Sequence, residues 1–254
     1  MIKLLNINLD NLLKLLRKHL NVKKYYQIIL VVIANDTNDY YCEMMKNFWI
    51  PFISYIKKHK LSIKVFLLFG QKLKNIQINS DDIIIANTGE GYVPQILKKT
   101  IFALEYIYKN YNFKHLIRTN LSSFFISNKL LELSNGFSDN KIYVGASGYP
   151  NKNFFVTGCC IWLSKDTVLY LINNKNNLKY NIPDDVAIGK ILTNNFFKPL
   201  IKILNIVKKE DYTLLLNNNS NIIKNYDTYH IRIKSNNRYN DAKLVKFFFQ
   251  YYYE

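Results

Sequence analysis

The segment YYQIILVVIAND, residues 25–36, limits the folds open to this chain more than any other. Residues 28–34 are apolar without interruption and mostly β-branched. A strand with one wet face alternates polar and apolar residues, so an unbroken run asks for cover on both faces. Lys23-Lys24 and Asn35-Asp36 bound the run, and it is far too short to cross a bilayer. A second buried strand is read in IKVFLLFG, closed by Gly70, a third short one in DDIIIAN and another in FKHLIRTN.

Helical patterns separate these strands. Residues 40–58 read as a helix with Pro51 as a kink or boundary. Residues 94–110 carry Ile96, Leu97, Thr100, Ile101, Leu104 and Ile107 on one side. Further on come KIYVGAS, a strand FFVTGCCIWLS with Gly158 in its interior, a helix over 165–173, and a helix opened by Pro183-Asp184-Asp185. Buried strands alternating with helices give an α/β fold, in which a mostly parallel sheet carries helices on its faces.

No repeat or linker divides the chain, so one domain is expected over 1–254, long enough for a sizeable core. Its first 24 residues place leucines 9, 12, 13, 16 and 20 at helical spacing, an amphipathic leading helix that docks on the body. Lys14, Arg17, Lys18 and His19 give that helix a second reading, peripheral association with a membrane surface. Asn6, Asn8, Asp10 and Asn11 interrupt it, so it is no signal peptide. Residues 222–254 are read as a basic strand and a helix. Cys42, Cys159 and Cys160 form neither a disulfide framework nor a metal knuckle, which points to a reducing, cytoplasmic setting.

The formal net charge of +17 suits an anionic partner: nucleic acid, a membrane surface or a phosphorylated substrate. Lys, Asn, Ile and Tyr are abundant throughout, so part of this charge is the usage of an AT-rich coding sequence. One polar stretch stands out against the apolar runs. In KHLIRTNLSSFFIS, residues 114–127, an elbow of Arg118, Thr119, Asn120, Leu121, Ser122 and Ser123 sits between two segments that read as buried. In an open parallel sheet, ligands bind beyond the carboxyl ends of strands, where this elbow falls.

Four stretches, taken in order, resemble the GT-A glycosyltransferases of the galactosyltransferase and Fringe type. They are SDDIIIANTGEGYVPQILKKTIFALEYI, HLIRTNLSSFFI, FFVTGCCIWLSKDTVLYL and IPDDVAIG, covering roughly residues 80–195, with an echo at His230. The resemblance implies a GT-A type, Rossmann-like sheet with helices on both faces. It also implies transfer of a sugar from a nucleotide-sugar donor, expected to be a UDP-sugar, to a hydroxyl of a glycan or other acceptor. Asp185 would be the base of an inverting transfer, and Asp184 would orient it or hold the acceptor. Glu90, Lys99, Arg118, Asn120 and Ser122 fall among the donor contacts, Gly158 on the acceptor strand, and His230 where the family places a metal-binding histidine. Asp36, ending the first strand, and Asp82 are further candidates for the nucleotide, although Asp36 could equally cap a helix.

The chain departs from the family at the elbow. Aspartates that would bind Mn or Mg are replaced by Asn120, Leu121 and Ser122, which removes the anionic oxygens such hard cations require. Cation dependence is therefore expected to be reduced or absent. In YDTYHIRIKSNNR, His230, Arg232 and Lys234 alternate and would share a face of an extended segment, with Arg238 beyond. Arginine and lysine can neutralise a departing diphosphate in the metal's stead. Two other classes stay open: a non-catalytic sugar- or nucleotide-binding module of the same fold, and a basic nucleic-acid-binding protein. The last has no signature of a known nucleic-acid motif behind it.

Overall fold

The computed structural model of the protein describes residues 23–73, 75–149, 152–194, 200–201, 205–217 and 220–254. The expected leading helix lies outside the described residues up to residue 22, and Lys24 already begins the first strand. The segments read as strands become β1 (Lys24–Ile33), β2 (Ile63–Phe69), β3 (Ile83–Ile85) and β4 (Tyr111–Asn120). Between β1 and β2 lie α1 (Asp39–Met44), a π-helical turn (Met45–Trp49) and α2 (Ile50–Lys58). Pro51 opens α2 and has no N–H to give to a carbonyl one turn back, and the irregular turn falls just before it. α3 (Gln95–Asn110) joins β3 to β4.

The chain continues through β5 (Ser123–Phe125), α4 (Ser127–Gly136), β6 (Tyr143–Gly145), β7 (Ser147–Tyr149), β8 (Lys152–Val156) and β9 (Cys160–Ser164). Then come α5 (Lys165–Asn173), α6 (Asp184–Thr193), β10 (Leu200–Ile201), β11 (Asn205–Ile206), α7 (Lys209–Leu216) and α8 (Ser220–Ile223). β12 (His230–Arg232) and α9 (Arg238–Tyr253) complete it. The expected single strand FFVTGCCIWLS is in fact two, β8 and β9, separated by a turn at Gly158-Cys159. A single glycine in an apolar run fits a close approach within a strand as well as a turn, and tertiary contacts at Gly158 decide for the turn.

Among the described residues the main sheet has seven strands in the order β10-β6-β9-β4-β1-β2-β3. All pairings are parallel except the two made by β9. Alternate residues of each inner strand go to opposite cores. Ile28, Leu30 and Val32 of β1 pack with α1, the π turn, α2 and α9, through Met44, Phe48, Trp49, Phe52 and Phe248. Ile29 and Val31 pack on the other face with α3, α5 and α6, through Leu97, Ile101, Leu104, Val168 and Ile188. Each such side chain contributes about 1.5–3 kcal/mol by leaving water, so both faces must be covered for β1 to be stable. The sequence expectation of an α/β fold with a mostly parallel, doubly covered sheet holds.

This topology creates a crevice. From β1 the chain crosses one face to β2, and from β3 it crosses the other face to β4, which returns to the far side of β1. The connections diverge between β1 and β4, and ligands of open α/β sheets bind at that switch point, beyond the carboxyl ends. A second sheet, β11-β12-β5, lies beside it, with β12 antiparallel to β5 and Arg232 opposite Ser123. Among the described residues, no helix is long and apolar enough to cross a membrane.

Candidate active site

Two adjoining hollows of about 370 and 470 Å³ open at the switch point and share Ile33, Tyr92, Ile96, Asn120 and Arg232 in their walls. The first is completed by Glu90, Lys99, Ser122 and Arg238, the second by Arg118, Gly158, Asp184, Asp185 and Lys234. Eleven of the residues singled out in the sequence thus meet in one cleft, although they come from five regions of the chain.

The elbow after β4 holds the cleft's shape. Thr119 Oγ1 and Ser123 Oγ donate to the carbonyl of Cys159 at 2.5 and 2.9 Å, and Trp49 Nε1 donates to the carbonyl of Leu121 at 3.1 Å. The backbone N–H of Ile233 donates to the carbonyl of Ser122 at 2.9 Å, so the strand carrying Arg232 is laid along the elbow. The Asn120 side chain donates to the carbonyl of Gly158 at 3.3 Å and accepts from Arg232 Nη1. Ser122 Oγ accepts from Arg238 Nη2 at 3.4 Å.

Arg118 and Asp184 form a buried pair, 4% and 5% exposed, with Nη2 2.6 Å from Oδ2 in an ion contact rather than an aligned hydrogen bond. Arg118 Nη1 also donates to the carbonyl of Gly158. Burial raises the Asp184 pKa above the ordinary carboxylate value, while Arg118 pulls it back down. Asp185 is differently placed: Oδ2 accepts from the N–H of Gly158 and Oδ1 from that of Val186, each at 2.9 Å. A Cβ on Gly158 would lie 2.5 Å from Arg118 Nη1. Glycine is needed there because Arg118 fills the space beside it, an approach the sequence reading had assigned to an acceptor.

On the other wall, Lys99 is 1% exposed and gives its ammonium to Glu90 Oε2 at 2.8 Å and the carbonyl of Ala34 at 3.1 Å. Burial lowers its pKa, and the contact with Glu90 opposes that shift. Glu90 Oε1 accepts from the N–H of Gly70 at 2.6 Å. The Gly89 carbonyl lies 1.9 Å from where a Gly70 Cβ would stand, so Gly70 has no room for a side chain, and Gly89 itself sits at φ +76°, a backbone conformation that favours glycine. The loop that presents Tyr92 is thereby pinned to the ends of β1 and β2.

Three candidates lie elsewhere. Asp36 is buried outside the cleft, with Oδ2 accepting the N–H of Asn75 at 2.8 Å and its own carbonyl accepting Asn75 Nδ2 at 2.6 Å. Asp82 precedes β3, at the opposite end of the sheet, and bridges Lys57 and Lys64 at 2.5 and 2.8 Å. His230 alternates with Arg232 yet lines neither hollow. It is 3% exposed, its ring lies 4.9 Å from that of Phe125, and its Nε2 has no partner among the described residues. Burial, reinforced by Arg232, pushes its pKa down to about 3.

Sequence reasoning missed Asp241. Fully buried, it accepts from Arg238 Nη1 at 2.7 Å, the N–H of Ser235 at 2.8 Å and Tyr212 OH at 3.1 Å. The spacing of Arg238 and Asp241 at the start of a helix, after the capping Asn237, was the available signal.

A divalent cation does not fit these residues. Among the described residues, no three His, Cys, Asp or Glu side chains gather as a metal site. The amide oxygen of Asn120 is already taken by the guanidinium of Arg232, whose charge would repel a cation held there.

The sequence matches no protein-family model, and no curated protein matches it either. Among solved structures, the chain is similar to a glycosyltransferase involved in the glycosylation of the major capsid of PBCV-1. The match covers 87% of this chain and 98% of that one, with a TM-score of 0.48 and 8% identity.

Proposed function

We propose that this chain is a glycosyltransferase that takes its sugar from a nucleotide-sugar donor, a UDP-sugar, and transfers it with inversion to a hydroxyl of a glycan or other acceptor. The observation that carries the proposal is the order of charge along the cleft. Asp185, held by two backbone N–H groups, lies in the same hollow as Arg232 and Lys234, and Arg238 stands in the adjoining one. Such a transfer needs a carboxylate near the attacking oxygen and positive charge near the departing diphosphate.

In this mechanism the acceptor hydroxyl approaches the anomeric carbon from the side opposite the diphosphate. Its proton passes to the Asp185 carboxylate as the new C–O bond forms. The bond between the anomeric carbon and the diphosphate oxygen breaks, and its electron pair leaves with the nucleoside diphosphate. One displacement inverts the anomeric centre. Asp184, locked to Arg118, acts on the base rather than on substrate, because its carboxylate is committed to an ion contact. The Glu90–Lys99 pair holds the loop of Tyr92 over the donor side. The resemblance of residues 80–195 to GT-A enzymes supports this reading.

Asp185→Asn tests it. The variant is expected to bind nucleoside diphosphate as the parent does and to lose roughly 10²- to 10⁴-fold in turnover. Unchanged turnover would remove Asp185 from the chemistry. Nucleoside diphosphate binding with no transfer across a broad acceptor panel would favour a non-catalytic binding module.

A further inference from the structure

We infer that Arg232, helped by Arg238 and Lys234, takes the place of a divalent cation at the donor's diphosphate, so that this cleft binds nucleoside diphosphates without metal. The inference rests on the nucleotide-sugar reading above and specifies how its donor is held.

Arg232 sits at the junction of the two hollows, between the Asp185 end and the Ser122–Arg238 end. The pairing of β12 with β5 puts it there, opposite Ser123 and beside the elbow. It is half-buried, and among the described residues no carboxylate lies within ion-pair distance of it. The other cleft cations that are at least partly buried are matched, Lys99 by Glu90, Arg118 by Asp184 and Arg238 by Asp241, while the exposed Lys234, like Arg232, has no ion-pair partner among the described residues. Burial lowers the pKa of Arg232, and the positive charges of Arg238 and Arg118 act in the same direction. A guanidinium still keeps its proton at neutral pH, so it is a half-buried positive charge awaiting a counterion.

The residue that orients it is the telling choice. Asn120 accepts one N–H of Arg232 through a neutral amide oxygen. A carboxylate at 120 would hold the guanidinium equally well and cancel its charge. An amide fixes its direction and leaves the charge for a ligand. A guanidinium presents five N–H donors in a plane, and the remaining ones suit the paired oxygens of a phosphate group. Arg238, aimed by Asp241 and Ser122, and the exposed Lys234 extend this positive ground to either side. A diphosphate, which carries its negative charge on two linked phosphoryl groups, is the class of anion that several neighbouring cations suit.

Titration calorimetry with UDP, and separately with inorganic pyrophosphate, in EDTA and in Mn²⁺ decides the matter. Metal-free binding of UDP is expected, with an affinity that Mn²⁺ does not improve. Arg232→Gln should weaken it about 10- to 100-fold. Arg232→Lys should recover part of the loss. Asn120→Asp, which leaves Arg232 in place but pairs it, should weaken metal-free binding about tenfold. Thermal melting of each variant confirms that the folded state is being measured. UDP binding that requires Mn²⁺ overturns the inference while leaving the glycosyltransferase reading intact. Arg232-dependent binding of pyrophosphate with none of UDP or other nucleoside diphosphates supports the anion site and refutes the nucleotide-sugar reading. Full affinity in both Arg232→Gln and Asn120→Asp overturns the inference whatever else binds.

Discussion

Lowering the pH from 7 to 5 tests how His230 is held. Its ring is packed against Phe125 and Tyr229, and Arg232 is the charged group that acts on it. Folded, it takes up a proton only near pH 3, well below the usual histidine range, because burial and the neighbouring guanidinium both oppose the second charge. In the unfolded chain the same histidine titrates at about 6.5. Between the two values the unfolded state binds more protons, so stability must fall as the pH falls. From pH 7 to pH 5 the unfolded histidine gains roughly 2 kcal/mol that the folded one forgoes. His230→Phe keeps a ring of similar size and removes the titration. In urea unfolding at the two pH values, the parent should lose about 2 kcal/mol more than the variant, with similar m values. Comparing the two proteins cancels the other titrating groups, including His115, whose pKa is also lowered by burial and whose ring nitrogens are held by Ser134 and Ser138. Equal losses in parent and variant would mean that folded His230 protonates as freely as an unfolded one. That would refute the buried, unpaired placement and restore its candidacy as a ligand-facing group.

Two other perturbations probe the walls of the cleft. Gly158→Ala puts a methyl 2.5 Å from Arg118 Nη1 and 3.3 Å from its Cζ, which forces the guanidinium off both the Gly158 carbonyl and Asp184. A cost of about 3 kcal/mol, seen as a fall in Tm of roughly 6–12 °C, is expected together with lost turnover. An unchanged Tm would show that Arg118 has room to spare. Lys99→Met strands Glu90, whose side chain is only 12% exposed, and should cost about 3–5 kcal/mol in urea unfolding. The double variant Lys99→Met/Glu90→Gln should recover more than half of that, and single and double variants of equal cost would show that the two charges are not coupled.

The sheet was legible because its central strands carry their own signature: continuous apolar runs at 28–34 and 65–69 can be satisfied only between two layers. Gly158 shows where that kind of reading stops. FFVTGCCIWLS is apolar apart from Thr157-Gly158 and its last residue, and a lone glycine in such a run also fits the interior of a strand, so the local sequence does not decide that the chain turns there. The turn is held by Arg118, Asn120 and Asp185, from 40 residues upstream to 27 downstream. His230 and Asp36 were misplaced for the same reason. Alternation correctly separates the faces of an extended segment, but whether a face meets a cleft or an aromatic core depends on which strand pairs with it. For β12 that partner is β5, more than a hundred residues earlier. Asp36 lies just past the end of β1, and its partner Asn75 belongs to a loop that gave no sign of turning back on it.

The elbow itself is best understood through what its side chains touch. Thr119 and Ser123 hold the Cys159 carbonyl, and Asn120 and Ser122 accept N–H groups from Arg232 and Arg238. Its polar groups therefore serve two neighbours, the Gly158-Cys159 turn that presents its N–H to Asp185 and the arginines of the tail. A carboxylate base and a set of cations must keep a fixed separation if one is to receive a proton while the others receive a diphosphate. Both are braced from the same six-residue bend at the end of a core strand. That bend cannot shift without cost, because β4 is paired along its length with β1 and its far side is tied to Trp49. If the cleft takes the proposed nucleotide-sugar donor, conservative changes at Asn120 or Ser122 should alter its calorimetric affinity through the arginines they hold, even where neither side chain meets the ligand.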